Sequence, residues 1–269
     1  VAADLDGDGR ADLLSLGWWE EGASAAIAGG SFERLWEVRP GGAMWSGASV
    51  GDAERDGRLD LWLATTGGDV LCLDARTGEV RWRRRAAGAV RAGGAGGAFE
   101  PAGPGGGAVN AYAAPNGALQ IHDAATGEPL VSAPGAGGTT SRPVFADVDG
   151  DGVQEIVVGT AGAGLVAIDA GGRARWQSPA DRIDATPVVA DLEGDGRLEV
   201  VVGDMAGVLR VVDLATGRVL WSWASGSGQP IEADVALADE DGDGVLDVLV
   251  VGKDGTITCL TGRGAMRSR

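Results

Sequence analysis

The sequence has few of the residues that mark several common classes of protein. Its 2 cysteines among 269 residues are too few for a disulfide scaffold. No apolar run approaches the roughly 18–20 residues that a membrane-spanning helix needs, so we expect no such helix. The net charge of −17 disfavours a nucleic-acid-binding protein, which should be basic. The chain begins at Val1 without a basic leader, so we expect a processed chain or part of a longer chain or complex.

Glycine, by contrast, is abundant. It accounts for 48 of the 269 residues, more than twice its usual share of about 7%. Because glycine is costly in helices and permissive in turns, this excess disfavours long helices and favours many tight turns. The hydrophobic content of 44% is enough to form a sizeable core.

One nine-residue acidic motif recurs five times. Its copies occupy residues 4–12, 52–60, 147–155, 191–199 and 239–247. Successive copies start 48, 95, 44 and 48 residues apart, and the gap of 95 spans two periods. A degenerate repeat without the acids is therefore predicted around residues 89–135, where DAATG at 123–127 aligns with DLATG at 213–217. We number the copies by repeat, as acidic loops 1, 2, 4, 5 and 6.

Each repeat also contains four short runs of β-branched and aromatic residues. In the fifth repeat they lie at 187–191, 199–203, 208–213 and 218–223, between turns rich in Gly and Asp. The sequence thus contains six repeats of about 46 residues, each with four predicted strands. This pattern predicts a single all-β domain over residues 1–269 that folds as a β-propeller of four-stranded blades. Six blades are the first choice, and a fragment of a seven- or eight-bladed ring is the alternative. The Gly-rich stretch 93–107 is either a flexible loop or an irregular blade.

The acidic loops carry the strongest chemical signal. Positions 1, 3, 5 and 9 hold carboxylates, the backbone carbonyl of position 7 adds an oxygen, and glycine at position 6 permits a sharp turn. Several charged oxygens in a flexible loop suit Ca²⁺ better than Mg²⁺, and the lack of soft ligands disfavours Zn²⁺ and copper. We therefore predict about five structural Ca²⁺ ions. Their predicted ligands are Asp4, Asp6, Asp8, Arg10 and Asp12 in loop 1; Asp52, Glu54, Asp56, Arg58 and Asp60 in loop 2; Asp147, Asp149, Asp151, Val153 and Glu155 in loop 4; Asp191, Glu193, Asp195, Arg197 and Glu199 in loop 5; and Asp239, Asp241, Asp243, Val245 and Asp247 in loop 6.

The charge distribution supports a metal. Positions 1, 3, 5 and 9 of the loops hold 20 of the 39 acidic residues, and without those 20 the net charge of −17 would become +3. Four carboxylates at close range repel one another, so we expect chelation to destabilise the fold. Solvated acidic turns are the alternative. An EF-hand is excluded because the last acid stands at position 9 and a strand follows.

The motifs resemble two related propeller families. The acidic loop followed by a short apolar strand resembles the FG-GAP (VCBS-type) repeat of integrin alpha chains and of secreted bacterial proteins. The second half of each repeat resembles the tryptophan-docking repeat of quinoprotein dehydrogenases and of outer-membrane assembly lipoproteins. The copies are CLDARTGEVRW at 72–82, VVDLATGRVLW at 211–221 and AIDAGGRARW at 167–176.

This resemblance implies structural calcium loops and tryptophans that pack between adjacent blades. The role is assigned to Trp36, Trp82, Trp176 and Trp221, whereas Val131 replaces the tryptophan in the degenerate repeat. In integrin-like propellers the partners bind loops on the opposite face. The resemblance does not imply an enzyme, because the dehydrogenases have eight blades and a cofactor pocket that nothing here matches.

Catalytic signals are weak. His122 is the only histidine and lies in a predicted strand, so we expect a structural role. No nucleophile-elbow motif is present, and the stretch 93–107 lacks the lysine of a phosphate-binding loop. Cys72 and Cys259 occupy equivalent positions and are predicted to be buried thiols that do not pair.

Two further features could contact a partner. Arg81, Arg83, Arg84 and Arg85 surround Trp82, and in a regular strand three of these arginines would share the face opposite the tryptophan. This run is either a patch for an anionic partner or a solvated outer strand. Trp18 and Trp19 lie in a predicted loop, and at least one of them could be exposed to a ligand.

The sequence favours a non-catalytic, calcium-stabilised β-propeller. We expect a binding, adhesion or scaffold module in an extracellular, cell-surface or periplasmic location, with protein or carbohydrate partners on the rim. The glycine and alanine content suggests a bacterial source. The alternative is the propeller of a secreted polysaccharide-active enzyme, such as a lyase, although one tyrosine and few lysines disfavour it.

Overall fold

The computed structural model describes residues 2–17, 24–28, 31–44, 48–65, 67–85, 98–100, 108–113, 118–133, 138, 141–169 and 171–264. These residues form 23 strands in six antiparallel sheets. Within those ranges no helix is present that could cross a membrane. Five sheets have four strands and the sixth has three.

Sheets 1 to 3 belong to the first of two compact units, which comprises Val1–Pro134 and Ala170–Gly172. Each follows the chain as a simple meander. The strands are β1 (Ala2–Ala3), β2 (Asp12–Leu16), β3 (Ser24–Ile27) and β4 (Arg34–Val38) in sheet 1; β5 (Ser49–Gly51), β6 (Asp60–Ala64), β7 (Asp69–Asp74) and β8 (Val80–Arg85) in sheet 2; and β9 (Ala98–Glu100), β10 (Val109–Ala113), β11 (Leu119–Asp123) and β12 (Pro129–Ala133) in sheet 3.

Sheets 4 to 6 belong to the second unit, which comprises Gly135–Asp169 and Arg173–Arg269. They follow the same order. The strands are β13 (Val144–Ala146), β14 (Glu155–Gly159), β15 (Leu165–Ile168) and β16 (Ala174–Ser178) in sheet 4; β17 (Val188–Ala190), β18 (Glu199–Gly203), β19 (Val208–Asp213) and β20 (Val219–Ala224) in sheet 5; and β21 (Ala236–Ala238), β22 (Asp247–Val251) and β23 (Ile257–Leu260) in sheet 6.

The second strand lies in the core in the second, fourth and fifth repeats. Every residue of β6, β14 and β18 is buried, as expected of continuously apolar strands covered on both faces. In the first unit Leu61, Leu71 and Leu73 form one cluster with residues of sheet 1. In the second unit Val200 and Val202 pack against residues of sheet 4. The apolar runs therefore bury each sheet against its neighbour within a unit.

The outermost strand of each four-stranded sheet contains a β-bulge at one equivalent position. In sheet 2, Cys72 pairs with Trp82 but the next residue, Leu73, pairs with Val80, which leaves Arg81 as the extra residue. A bulge interrupts the alternation of a strand and re-aims a side chain. We call this extra residue the bulge residue. In sheets 1 to 5 it is Leu35, Arg81, Leu130, Arg175 and Leu220.

In sheets 1, 2, 4 and 5 the residue after the bulge is the docking tryptophan. The predicted packing of these tryptophans between neighbouring sheets is confirmed. In each case the indole N–H donates a hydrogen bond to a backbone carbonyl in the turn of the next sheet. The pairs are Trp36 with Ala75 at 2.8 Å, Trp82 with Ala124 at 3.1 Å, Trp176 with Leu214 at 2.8 Å and Trp221 with Gly262 at 2.9 Å. Trp62, which lies outside the repeated position, also donates to Ala124, at 3.0 Å.

Three sequence predictions need qualification. Sheet 6 has three described strands rather than four. In the Gly-rich stretch 93–107, residues 98–100 form β9 and pair with β10, whereas the rest of that stretch lies outside the described residues. Trp18 and Trp19 also lie outside them.

Candidate metal centres

The five acidic loops share one backbone conformation. The carboxylate at position 1 accepts a hydrogen bond from the N–H of position 6 in every loop, at 2.8–3.0 Å. The carboxylate at position 5 accepts one from the N–H of position 7, at 2.8–2.9 Å. Glycine at position 6 adopts a positive φ of 83–85° in all five loops, a conformation that other residues adopt only with strain. The motif therefore specifies the loop shape directly.

The carboxylate at position 9 is held by the sheet. This residue begins the second strand of its repeat and is buried in every loop. It accepts a hydrogen bond from the N–H of position 2, as Asp12 does from Leu5 at 2.8 Å and Glu199 from Leu192 at 2.9 Å. Burial raises the pKa of Glu155 and of Glu199 above the usual range, and it raises the pKa of Asp60 to about 6.

Three loops bring three carboxylates together. In each set the oxygens lie within 4.8 Å of one another. The sets are Asp4, Asp6 and Asp8 in loop 1; Asp147, Asp149 and Glu155 in loop 4; and Asp239, Asp241 and Asp243 in loop 6. Clusters of carboxylate oxygens at this spacing are the donor set that Ca²⁺ prefers. The residues of these three loops therefore fit the ion that the sequence predicts.

Loops 2 and 5 differ from the other three. Within the described residues, neither contributes such a set of three carboxylates. In loop 5, Glu193 lies 3.8 Å from the guanidinium of Arg263. In loop 2, position 4 is Arg55 at a φ of 57°, where the other loops have glycine.

Loop 2 instead surrounds the guanidinium of Arg81. Its nitrogens lie 3.2 Å from Glu54, 3.1 Å from Asp60 and 3.2 Å from Asp74. The contact with Asp60 is an ion pair without hydrogen-bond alignment, because the nearest oxygen of Asp60 accepts no hydrogen bond. Arg175 makes a similar approach in loop 4, at 2.7 Å from Asp149 and 3.4 Å from Glu155.

Sequence reasoning did not find these two roles. The signal that was available is the residue just before the docking tryptophan, which is arginine in the second and fourth repeats and leucine in the first and fifth. The bulge moves Arg81 off the face that regular alternation would give it. The other arginines of the run also contact protein groups, since Arg83 donates to Pro40, Arg84 pairs with Glu128 and Arg85 pairs with Asp69.

The remaining candidates are structural. His122 is buried in β11, and its Nδ1 lies 3.0 Å from the carbonyl of Gly127. Burial lowers the pKa of His122. Neither Cys72 nor Cys259 forms a disulfide, but only Cys72 is buried, whereas Cys259 is half-buried on β23. The prediction that both thiols are buried is therefore wrong for Cys259, which lies on the last described strand of sheet 6.

Repeated antiparallel sheets, docking tryptophans and acidic loops define a β-propeller with FG-GAP-like and quinoprotein-like features. The chain belongs to the family whose model is described as outer membrane protein assembly factor BamB, which matches residues 68–266. A model of the FG-GAP-like repeat matches residues 4–63. A comparison with curated protein sequences gave no significant match.

Solved structures confirm the fold class. BamB from Moraxella catarrhalis aligns with a TM-score of 0.61 and 18% identity, over 99% of this chain and 76% of that one. The Vibrio cholerae biofilm matrix protein Bap1 aligns with a TM-score of 0.64 and 21% identity, over 86% and 39% of the chains. The quinohemoprotein alcohol dehydrogenase of Comamonas testosteroni aligns with a TM-score of 0.63 and 17% identity, over 84% and 42%. The chain thus spans less than half the length of the last two.

Proposed function

We propose that this chain is a non-catalytic β-propeller that calcium stabilises and that binds protein partners outside the cytoplasm. The observation that carries the proposal is the convergence of carboxylates in loops 1, 4 and 6 of a chain that belongs to the BamB family. That family is described by outer membrane assembly, and Bap1 is a biofilm matrix protein. Both descriptions support a bacterial propeller that acts in the envelope or beyond it.

Calcium fits the electrostatics of the loops. Carboxylates within 4.8 Å of one another oppose folding unless a cation screens them. Several millimolar-affinity sites would be filled outside the cytoplasm, where Ca²⁺ is abundant. A bound ion adds stability because it binds the folded loops and not the unfolded chain.

The exposed apolar surface of sheet 6 is an argument for a protein partner. Leu249, Val251 and Ile257 expose 37%, 40% and 69% of their surface. Leu249 and Val251 are two residues apart on β22, and Val251 pairs with Ile257 on β23, so the three side chains share one face. An exposed aliphatic surface of this kind is typical of protein contacts, whereas carbohydrate sites need polar groups and aromatic rings. We call these three residues the sheet 6 patch.

The catalytic alternative has no described group to support it. Most paired carboxylates belong to the acidic loops, where hydrogen bonds and metal would occupy them. His122 is buried among structural partners. We therefore propose binding rather than turnover as the activity.

Thermal unfolding tests the calcium component. We expect the Tm to rise with Ca²⁺ and to fall with EDTA, with a smaller response to Mg²⁺. Asp241→Asn removes one converging carboxylate of loop 6 and should weaken the response, whereas Glu79→Gln removes an exposed acid outside the loops and should not. A Tm that is the same in Ca²⁺ and in EDTA would contradict this component.

Cross-linking in intact cells tests the partner and its location. A tagged chain should fractionate with the envelope or the medium and cross-link to a defined envelope protein. Ile257→Lys in the sheet 6 patch should abolish that cross-link, and Phe32→Lys, at an exposed apolar site in the other unit, should preserve it. Recovery in the cytoplasmic fraction, or a carbohydrate ligand with no protein cross-link, would refute the proposal.

A further inference from the structure

In acidic loop 2 a protein cation lies among the carboxylates that the motif predicts to bind Ca²⁺. We propose that Arg81 is the resident counter-cation of loop 2 and takes the place that Ca²⁺ fills in loops 1, 4 and 6. The inference rests on the proposed function, since it requires that other loops bind calcium.

The contacts of Arg81 match those of a bound cation. Its guanidinium approaches two predicted ligands of the loop, Glu54 at position 3 and Asp60 at position 9, at 3.2 and 3.1 Å. It also approaches Asp74, which ends the third strand of the same sheet, at 3.2 Å. The arginine side chain is 24% exposed, and Asp60 is only 2% exposed. A fixed positive charge at this depth offsets part of the negative charge of the loop and repels a divalent ion.

The rest of loop 2 is also unlike a calcium loop. Its carboxylates do not supply three oxygens within 4.8 Å of one another, whereas those of loops 1, 4 and 6 do; loop 5 shares this lack but has no arginine at its bulge. Arg55 adds a further basic residue at position 4, where the other loops have glycine. The donor set of loop 2 therefore disagrees with the ion that the family resemblance implies.

The bulge explains how one residue controls the charge of a loop. In sheet 5 the bulge residue is Leu220, and it lines the same cleft as Glu193, Asp195 and Glu199 of loop 5. The bulge position therefore faces the acidic loop of its own sheet. In loop 2 this position holds Arg81, which supplies the cation.

Arg175 is an intermediate case. It contacts Asp149 and Glu155, but the carboxylates of loop 4 still converge. Its side chain is 38% exposed, compared with 24% for Arg81, and it approaches two carboxylates rather than three. We infer that loop 4 retains its ion beside Arg175 and that only loop 2 is closed to calcium.

The test follows single backbone amides in the ¹⁵N-labelled chain during a Ca²⁺ titration. The N–H of Gly57 donates to Asp52 in loop 2, and that of Gly9 donates to Asp4 in loop 1, so each amide reports its own loop. In the wild-type chain the Gly9 signal should shift with Ca²⁺ and the Gly57 signal should not. A Gly57 signal that shifts over the same concentration range would overturn the inference.

Two reciprocal variants make the cause specific. Arg81→Leu gives loop 2 the bulge residue of loop 1, and its Gly57 signal should then respond to Ca²⁺. Leu35→Arg gives loop 1 the bulge residue of loop 2, and half-saturation at Gly9 should need about tenfold more Ca²⁺ or be lost. Arg85→Leu, which removes a surface ion pair of the same strand, should change neither response. A folded Arg81→Leu chain with an unresponsive Gly57 would refute the role of Arg81.

The design separates this inference from the proposed function. If Arg81→Leu does not fold, an unchanged Gly9 response in Leu35→Arg overturns the inference by itself. If no loop responds in the wild-type chain, the calcium component of the proposed function fails and the inference fails with it. If Gly9 responds and Gly57 responds with it, the calcium component stands and only the inference fails.

Discussion

Replacement of Gly217 by alanine tests how tightly the docking tryptophans fit. Gly217 has a φ of 72°, and a methyl group there would lie 2.7 Å from two ring carbons of Trp176. A left-handed conformation costs a non-glycine residue about 1–2 kcal/mol. Overpacking against a ring that cannot shift freely costs about 1–3 kcal/mol more. We therefore expect Gly217→Ala to lower the free energy of unfolding by about 2–5 kcal/mol.

The matched control is Gly255→Ala in the same unit. Gly255 has a φ of 81°, and a methyl group there would meet no atom within 4 Å. This variant should lose only the backbone cost of about 1–2 kcal/mol. The difference between the two variants isolates the contact with the tryptophan, and urea unfolding in saturating Ca²⁺ measures both.

A double-mutant cycle completes the test. With Trp176→Ala as background, the ring is absent, and Gly217→Ala should cost no more than Gly255→Ala does. Equal losses for Gly217→Ala and Gly255→Ala in the wild-type background would show that the ring yields to the methyl group. The close packing of tryptophan on the turn would then not hold these sheets together.

Three further predictions concern single side chains. Burial lowers the pKa of His122 below its ordinary value of 6.5. The unfolded chain therefore binds a proton more readily, and the free energy of unfolding falls as the pH drops below about 6.5. His122→Gln should reduce this dependence of the unfolding free energy on pH, measured from pH 7.5 to 5.5. Burial raises the pKa of the Cys72 thiol, so a thiol reagent should modify one cysteine in the folded chain, and Cys259→Ser should abolish that reaction. Trp36→Phe leaves the Ala75 carbonyl without the indole donor and should lower the unfolding free energy by about 1–3 kcal/mol, measured in urea.

Local pattern was sufficient to predict the elements that repeat. The run EVVVG forms β18, buried throughout, because a continuously apolar strand is stable only between two covered faces. The docking role of Trp82 and Trp221 followed from the resemblance of their repeats to the tryptophan-docking motif. The loop conformation also followed from the motif, since glycine at position 6 and carboxylates at positions 1 and 5 form their hydrogen bonds within nine residues.

The charge balance of each loop could not be predicted in this way. Arg81 forms an ion pair with Glu54, which lies 27 positions earlier in the chain. The contact depends on a β-bulge whose position cannot be predicted from the residue types of the strand. Regular alternation would place Arg81 with Arg83 and Arg85 on one solvent-facing side. A register shift of a single residue separates them, and only the structure shows it.

The bulge also lets the orientation of the docking tryptophan and that of the residue before it be set independently, which the alternation of a regular strand would not allow. A docking tryptophan must point toward the turn of the next sheet, and its strand neighbour would ordinarily alternate to the opposite face. With a bulge between them, the neighbour instead reaches the acidic loop of its own sheet, while the indole keeps its carbonyl, as it does in Trp82 with Ala124 and in Trp221 with Gly262. Arginine and leucine can therefore exchange at the bulge without disturbing the docking. For loop 2, we assign the positive charge among its carboxylates to Arg81, and leucine at this position would leave those carboxylates to a cation from solution.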